Sequence, residues 1–293
     1  MISTLLSLAS KSLANRLLTV GLTVFSISFS VFLLLGVEKI RTEAKASFAN
    51  TISGTDLVVG ARSGSIQLLL YSVFRIGNAT NNVSWKNYQA ISNSKDIAWT
   101  IPISLGDSHR GFRVLGTTND YFKHYRYGSK KNLGFKIGKP FEDVFDAVLG
   151  QEVANRLGYK LNDQIVLSHG IGEINGAEHA DKPFRIAGVL AKTGTPVDRT
   201  IHVSLKGIEA IHIDWRSGAP IPGMSVSAKE VRQLELQPKS ITALLVGLKS
   251  KLSIFKIQRR INQFRGEPLL AILPGVALQE LWDLMSVAEA ALG

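Results

Sequence analysis

Cysteine is absent from the chain. Its absence excludes a disulfide framework, thiolate zinc sites and a cysteine nucleophile, so any domain built from this sequence is held by packing alone. Acidic residues are also scarce: 23 Asp and Glu face 34 Lys and Arg, a formal net charge of +11. That imbalance attracts nucleic acid, anionic lipid or an acidic protein. The basic residues are scattered rather than interleaved with aromatics in stacking order, which argues against nucleic acid as a partner. Nucleotide and hydrolase motifs are missing as well. The chain has no G-x-x-x-x-G-K-[ST] phosphate loop and no G-x-S-x-G elbow, and Gly170-Ile171-Gly172 is too short for a dinucleotide fingerprint. Its six histidines, at 109, 124, 169, 179, 202 and 212, never form H-E-x-x-H. Surface or core histidines are the expectation, with no metal and no cofactor.

One catalytic pattern needs closer inspection. Ser92-Asn93-Ser94-Lys95 fits S-x-x-K and Lys192-Thr193-Gly194 fits K-T-G, two signatures of penicillin-binding enzymes. That chemistry needs the serine and lysine at the start of a buried helix. Here Lys95 is followed by Asp96-Ile97-Ala98-Trp99-Thr100-Ile101, which alternates like a strand, and Ser253 to Lys256 matches S-x-x-K equally well. Coincidence is the better explanation. No enzyme is expected.

What the chain does have is one long charge-free run, Leu17 to Val37. As a helix rising about 1.5 Å per residue it spans about 30 Å, the hydrocarbon thickness of a bilayer. A helix also satisfies its own backbone where no water can. A cleaved signal peptide has a shorter apolar core and a nearby small-residue cleavage site, so an uncleaved transmembrane anchor is expected over residues 17–37. Residues 1–16 place Ile2, Leu5, Leu6, Ala9 and Leu13 on one side, predicting an amphipathic interfacial helix. Within the span, Thr19, Thr23, Ser26 and Ser30 make a stripe of small hydroxyl residues. Such a stripe lets a second membrane helix approach closely; the alternative is that each hydroxyl bonds its own preceding turn. Lys11 and Arg16 on one flank and Lys39, Arg41 and Lys45 on the other leave orientation undecided by charge counting.

Beyond the anchor, short strands and helices mix. Strands are predicted at 56–60, 97–105, 111–117, 147–150, 164–168, 184–190, 200–204, 240–248 and 269–273, and helices at 65–74, 84–92 and 151–157, the last closed by Gly158. The turn signal Gly106-Asp107-Ser108 is expected to join strands 97–105 and 111–117. Ile254, Ile257, Ile261 and Phe264 recur at spacings of three and four beneath a cluster formed by Lys249, Lys251, Lys256, Arg259, Arg260 and Arg265, an amphipathic helix with a basic face. The class is α+β: a transmembrane helix followed by a two-lobed domain over 45–275. One lobe is discontinuous (about 45–125 and 235–275), and a mostly β lobe (about 126–234) is inserted into it. Residues 276–293 read as the start of a membrane-proximal helix.

Several segments carry a resemblance. They are Asn15-Arg16-Leu17 entering the run, Gly54-Thr55-Asp56-Leu57-Val58-Val59-Gly60-Ala61 after it, and Val148-Leu149-Gly150-Gln151-Glu152-Val153-Ala154 with Leu157-Gly158 before Asn162-Asp163. The longest is Ile186-Ala187-Gly188-Val189-Leu190 through Thr193-Gly194-Thr195-Pro196-Val197-Asp198-Arg199-Thr200. In order and spacing they resemble the MacB/FtsX-type permeases of ABC transporters and their MacB-like periplasmic core domain. The resemblance implies a permease subunit in a bacterial inner membrane, with a cytoplasmic N-terminus and a periplasmic main domain. It also implies a separate ATP-binding subunit, a second permease copy or related subunit as dimer partner, and a periplasmic partner protein. Cargo in the family includes lipoproteins, peptides or drugs, and some members transmit force instead. The family has four spans, whereas this sequence has one, so a fragment, a truncated gene or half of a split permease is the expectation. The alternative reading is a membrane-anchored binding or adaptor module without transport activity.

Overall fold

The computed structural model describes residues 4, 7, 11, 14–170, 178–216, 219–221 and 225–292. Helix α1, Leu17–Thr51, contains the charge-free run. Its apolar side chains face outward: Leu18 is 78% exposed and Phe32 71%. A soluble core helix would bury these groups, so the exposure fits a helix whose solvent is lipid. The face formed by Ile2, Leu5, Leu6, Ala9 and Leu13 lies outside the described residues.

The described residues from Phe48 onward fold around one eleven-stranded sheet. In chain order its strands are β1 (Leu57–Ala61), β2 (Ile97–His109), β3 (Phe112–Thr117), β4 (Phe135–Gly138), β5 (Asp146–Leu149), β6 (Gln164–Ile165), β7 (Ser168–His169), β8 (Phe184–Leu190), β9 (Thr200–Ser204), β10 (Ala243–Leu248) and β11 (Leu269–Ile272). They are ordered β11-β1-β10-β2-β3-β9-β5-β8-β4, with β7 added to β2 and β6 to β8. Pairing is antiparallel except between β3 and β9 and between β5 and β8. The helices are α2 (Ser65–Leu69, continuing as a wider turn over Leu70–Phe74), α3 (Trp85–Ser92), α4 (Asp120–His124), α5 (Gln151–Leu157), α6 (Leu205–His212), α7 (Ile254–Asn262) and α8 (Pro274–Leu292), with a shorter one at Ala228–Val231.

Period-two alternation explains why strands such as β1 and β10 read as unbroken apolar runs. Val58 and Leu245 enter one core with Leu68 and Leu69 of α2 and Tyr121 of α4. Leu57, Val59, Leu244 and Val246 enter another with Ile91 of α3 and Ile257 and Ile261 of α7. With both faces covered, no polar alternation survives. A third core joins Phe112, Ala147, Leu149, Phe184, Ile186 and Val203 to Val153 of α5 and Ile211 of α6. The α+β class and the long apolar helix thus agree with the sequence.

One expectation is corrected. Gly106-Asp107-Ser108 is not the turn: β2 runs on to His109, with a register shift between Leu105 and Ser108. The hairpin closes at Arg110-Gly111, whose φ values of 46° and 79° are those of a two-residue type I′ turn. Gly-Asp-Ser has turn composition, but here it carries a β-bulge, which calls on the same residue types.

His202 on β9 is fully buried, with Nδ1 donating to the carbonyl of Val148 at 3.2 Å. Burial, followed by repulsion from Arg75, pushes its pKa down from 6.5 to about 3. The folded state therefore holds fewer protons than the unfolded chain between those values. Stability present above pH 6.5 is expected to fall as pH drops toward 3, by roughly 4 kcal/mol from this residue. Denaturant midpoints across that range should flatten in His202→Phe; an unchanged slope would contradict the assignment.

Candidate functional site

Thr19, Thr23, Ser26 and Ser30 all lie exposed on α1. The Thr23 hydroxyl donates to the carbonyl of Thr19 and the Ser30 hydroxyl to that of Ser26, each at 2.9 Å. Both of these hydroxyls thus serve their own helix.

The penicillin-binding pattern does not assemble. Ser92 ends α3 rather than starting a helix, and its hydroxyl donates back to the carbonyl of Gln89 at 3.1 Å. Lys95 precedes β2, whereas Lys192 follows β8, and β3, β9 and β5 stand between those strands in the sheet.

A constellation that the sequence does not announce forms beside the β2–β7 pairing. Asp107 on β2 sits directly across from His169 on β7. His179 is anchored just beyond, its N–H donating to the carbonyl of Leu167 at 2.9 Å after a bridge between Ser168 and Glu178. His212 is the last residue of α6, which starts where the Ser204 hydroxyl accepts the N–H of Gly207 at 2.9 Å. One ligand atom from each of Asp107, His169, His179 and His212 falls within 4.8 Å of all the others.

Hydrogen bonding fixes how these groups face. His212 Nδ1 lies 2.8 Å from the carbonyl of Ile208. A carbonyl only accepts, so Nδ1 carries the proton and neutral His212 turns the Nε2 lone pair inward. Nε2 is then 3.3 Å from His169 Nδ1 and 3.5 Å from Asp107 Oδ1, while His169 Nδ1 is 3.3 Å from the same carboxylate oxygen. His179 is fully buried against the Trp215 ring, with centroids 4.1 Å apart. Neither of its ring nitrogens has a hydrogen-bond partner among the described residues, and Asp107 Oδ1 likewise has none of good geometry. Electrostatics keep the group poised. Burial would raise the Asp107 carboxyl, but the attraction of His169 and His212 outweighs it and holds the pKa at about 2. Burial and then the charge of His212 push His179 down to about 4. Burial also disfavours the charged form of His212, yet Asp107 prevails and its pKa is raised. The expectation of surface or core histidines does not foresee that these three gather. They lie at least ten positions apart in sequence; the pairing of β2 with β7 brings His169 to Asp107, the bond to Leu167 brings His179, and α6 brings His212.

Against known proteins, the chain matches the MacB-like periplasmic core domain over residues 17–264. Among solved structures it is similar to the periplasmic region of MacB from Actinobacillus actinomycetemcomitans, at 11% identity over 79% of this chain and 94% of that one, with a TM-score of 0.46. It is also similar to the extracellular domain of the noncanonic ABC-type transporter YknZ from Gram-positive bacteria, at 11% identity over 74% of this chain and 99% of that one, with a TM-score of 0.41. No curated protein matches. The matched stretch runs from the apolar helix through α7 and takes in well over half of the sequence. The chain belongs to the family of the MacB-like periplasmic core domain, a component of ABC transporter permeases rather than a classical enzyme.

Proposed function

We propose that this chain is a permease subunit, or part of one, in which the domain beyond α1 couples ATP hydrolysis by a separate subunit to movement of a substrate. A lipoprotein, peptide or drug-like molecule would be exported or extracted, or force would be passed to a partner outside the membrane. The carrying observation is the family match over residues 17–264 together with a 27-residue helical segment, Leu17–Glu43, long and apolar enough to cross a bilayer. On this reading α1 anchors the chain in the bacterial inner membrane, N-terminus in the cytoplasm and main domain in the periplasm. Its hydroxyl stripe meets a neighbouring span or a second copy. No bond is broken in the domain; its work is conformational.

A second reading, a membrane-anchored adaptor, draws on one observation. Leu252 is 97% exposed and Phe255 70%, beside Lys251, Lys256 and Arg259. Apolar groups rimmed by cations suit an anionic lipid surface or an acidic partner. Purification of the full chain in mild detergent from the membranes of its own host distinguishes the two. An ATP-hydrolysing subunit is expected in the complex, with the main domain open to protease from the periplasmic side. Recovery of the chain with lipid or a periplasmic protein but no ATPase would favour the adaptor; a soluble chain would sink both.

A further inference from the structure

We propose that Asp107, His169, His179 and His212 form a binding site for one transition-metal dication, with zinc the best fit. Ligand spacing is the first argument. Zinc holds imidazole nitrogen and carboxylate oxygen at about 2.0–2.1 Å in a tetrahedron, which sets neighbouring ligand atoms about 3.3–3.4 Å apart. The three separations among Asp107 Oδ1, His169 Nδ1 and His212 Nε2 are 3.3, 3.3 and 3.5 Å. Three corners of the polyhedron are therefore already in place, and His179 supplies the fourth within the same 4.8 Å cluster.

Unsatisfied polar atoms are the second argument. Buried nitrogen and oxygen normally find partners, because desolvating them without one is costly. Here both ring nitrogens of His179 lack one among the described residues, and Asp107 Oδ1 meets only His169 and His212, at 3.3 and 3.5 Å; all belong to this cluster. A cation meets lone pairs that no protein donor meets. The third argument is the outer support of His212. Its distal nitrogen donates to a backbone carbonyl, the usual device for orienting a metal-bound imidazole. Three imidazoles and one carboxylate suit zinc and its neighbours in the first transition row; magnesium and calcium prefer all-oxygen shells. The bound ion would cross-link β2, β7, α6 and the segment at His179, fastening both ends of residues 170–178 to the sheet.

The test uses the full chain in detergent, stripped with a chelator and titrated with zinc chloride against a chromophoric competitor. One zinc per chain is expected, and cobalt in its place should give the intense visible absorption of a tetrahedral site. Asp107→Asn and His212→Gln should each weaken zinc binding by about 100-fold or more, while His124→Gln, outside the cluster, should leave it unchanged. Equal zinc affinity in wild type and Asp107→Asn, or no uptake at all, would overturn the site. Should either variant fail to fold, the wild-type cobalt spectrum decides alone: the weak absorption of a six-coordinate ion counts against the proposal.

Discussion

Replacing Lys182 by methionine is expected to destabilise the folded domain by about 3–5 kcal/mol, the usual cost of leaving one partner of a buried ion pair without the other. Lys182 is fully buried. Its ammonium lies 3.0 and 2.8 Å from the two carboxylate oxygens of Asp214 and also contacts Asp181. Methionine keeps the bulk but not the charge. The two acids then fare differently: Asp181 is half exposed and can rehydrate, whereas the Asp214 side chain is only 6% exposed. Asp214 would retain the N–H of Val226 at 3.1 Å as a donor but no cation. For a domain of this size the loss corresponds to a fall in melting temperature of about 10 °C, measurable by calorimetry on the full chain. Asp214→Asn added to Lys182→Met removes the stranded charge and should restore more than half of the loss. A single variant within about 1 kcal/mol of wild type would show that the pair contributes nothing beyond its packing.

Gly150→Ala is the second large effect, expected to cost at least about 3 kcal/mol, the upper range for overpacking a rigid site. The backbone of Gly150 has φ −65°, open to any residue, so conformation is not the obstacle. Space is: a Cβ there would stand 2.2 Å from the carbonyl oxygen of Val197 and 2.4 Å from that of Asp198. Neither neighbour is free to retreat. The Gly150 N–H donates to the carbonyl of Thr200 at 2.9 Å. The buried Asp198 carboxylate accepts the N–H groups of Thr193 and Gly194 at 2.8 and 2.7 Å and the Thr193 hydroxyl at 2.8 Å. Gly158 provides the contrast. It caps the other end of α5 at φ +71° with nothing within 4 Å of where a Cβ would stand, so Gly158→Ala should cost only about 1–2 kcal/mol of backbone strain. Chemical denaturation of the two variants side by side checks the ranking, and a Gly150→Ala protein as stable as Gly158→Ala would refute the steric argument.

The sequence discloses those features whose cause is local. The charge-free run from Leu17, the helix ended by Gly158 and the 3.6-residue rhythm of Ile254, Ile257 and Ile261 each follow from neighbours a turn away. Strand positions such as 57–61 and 243–248 are legible because both faces are buried and the runs are apolar throughout. The strand order is not legible, since it pairs residues such as Gly60 with both Ala243 and Leu270. The hairpin was displaced because glycine and aspartate signal a bulge as readily as a turn. The histidine cluster hides for the strongest reason: each member sits in an ordinary local context, and the signal exists only in three dimensions. Its one sequence trace is that His169 and His179 flank a glycine-rich segment, which brackets the place without naming Asp107.

The pairing of β1 with β11 sets how the domain answers a pull. Val58 is opposite Ile272 and Ala61 opposite Leu269, so the start of β1, arriving from α1, lies beside the end of β11, leaving into α8. Both handles thus emerge from the same tip of one antiparallel ribbon, whose hydrogen bonds run perpendicular to the strands. Dragging the handles in unison carries the ribbon as a rigid bar; prising them apart loads those bonds singly, in the manner of a zip. On that geometry, the ribbon should hold under concerted travel of the two strand ends and yield to their splaying.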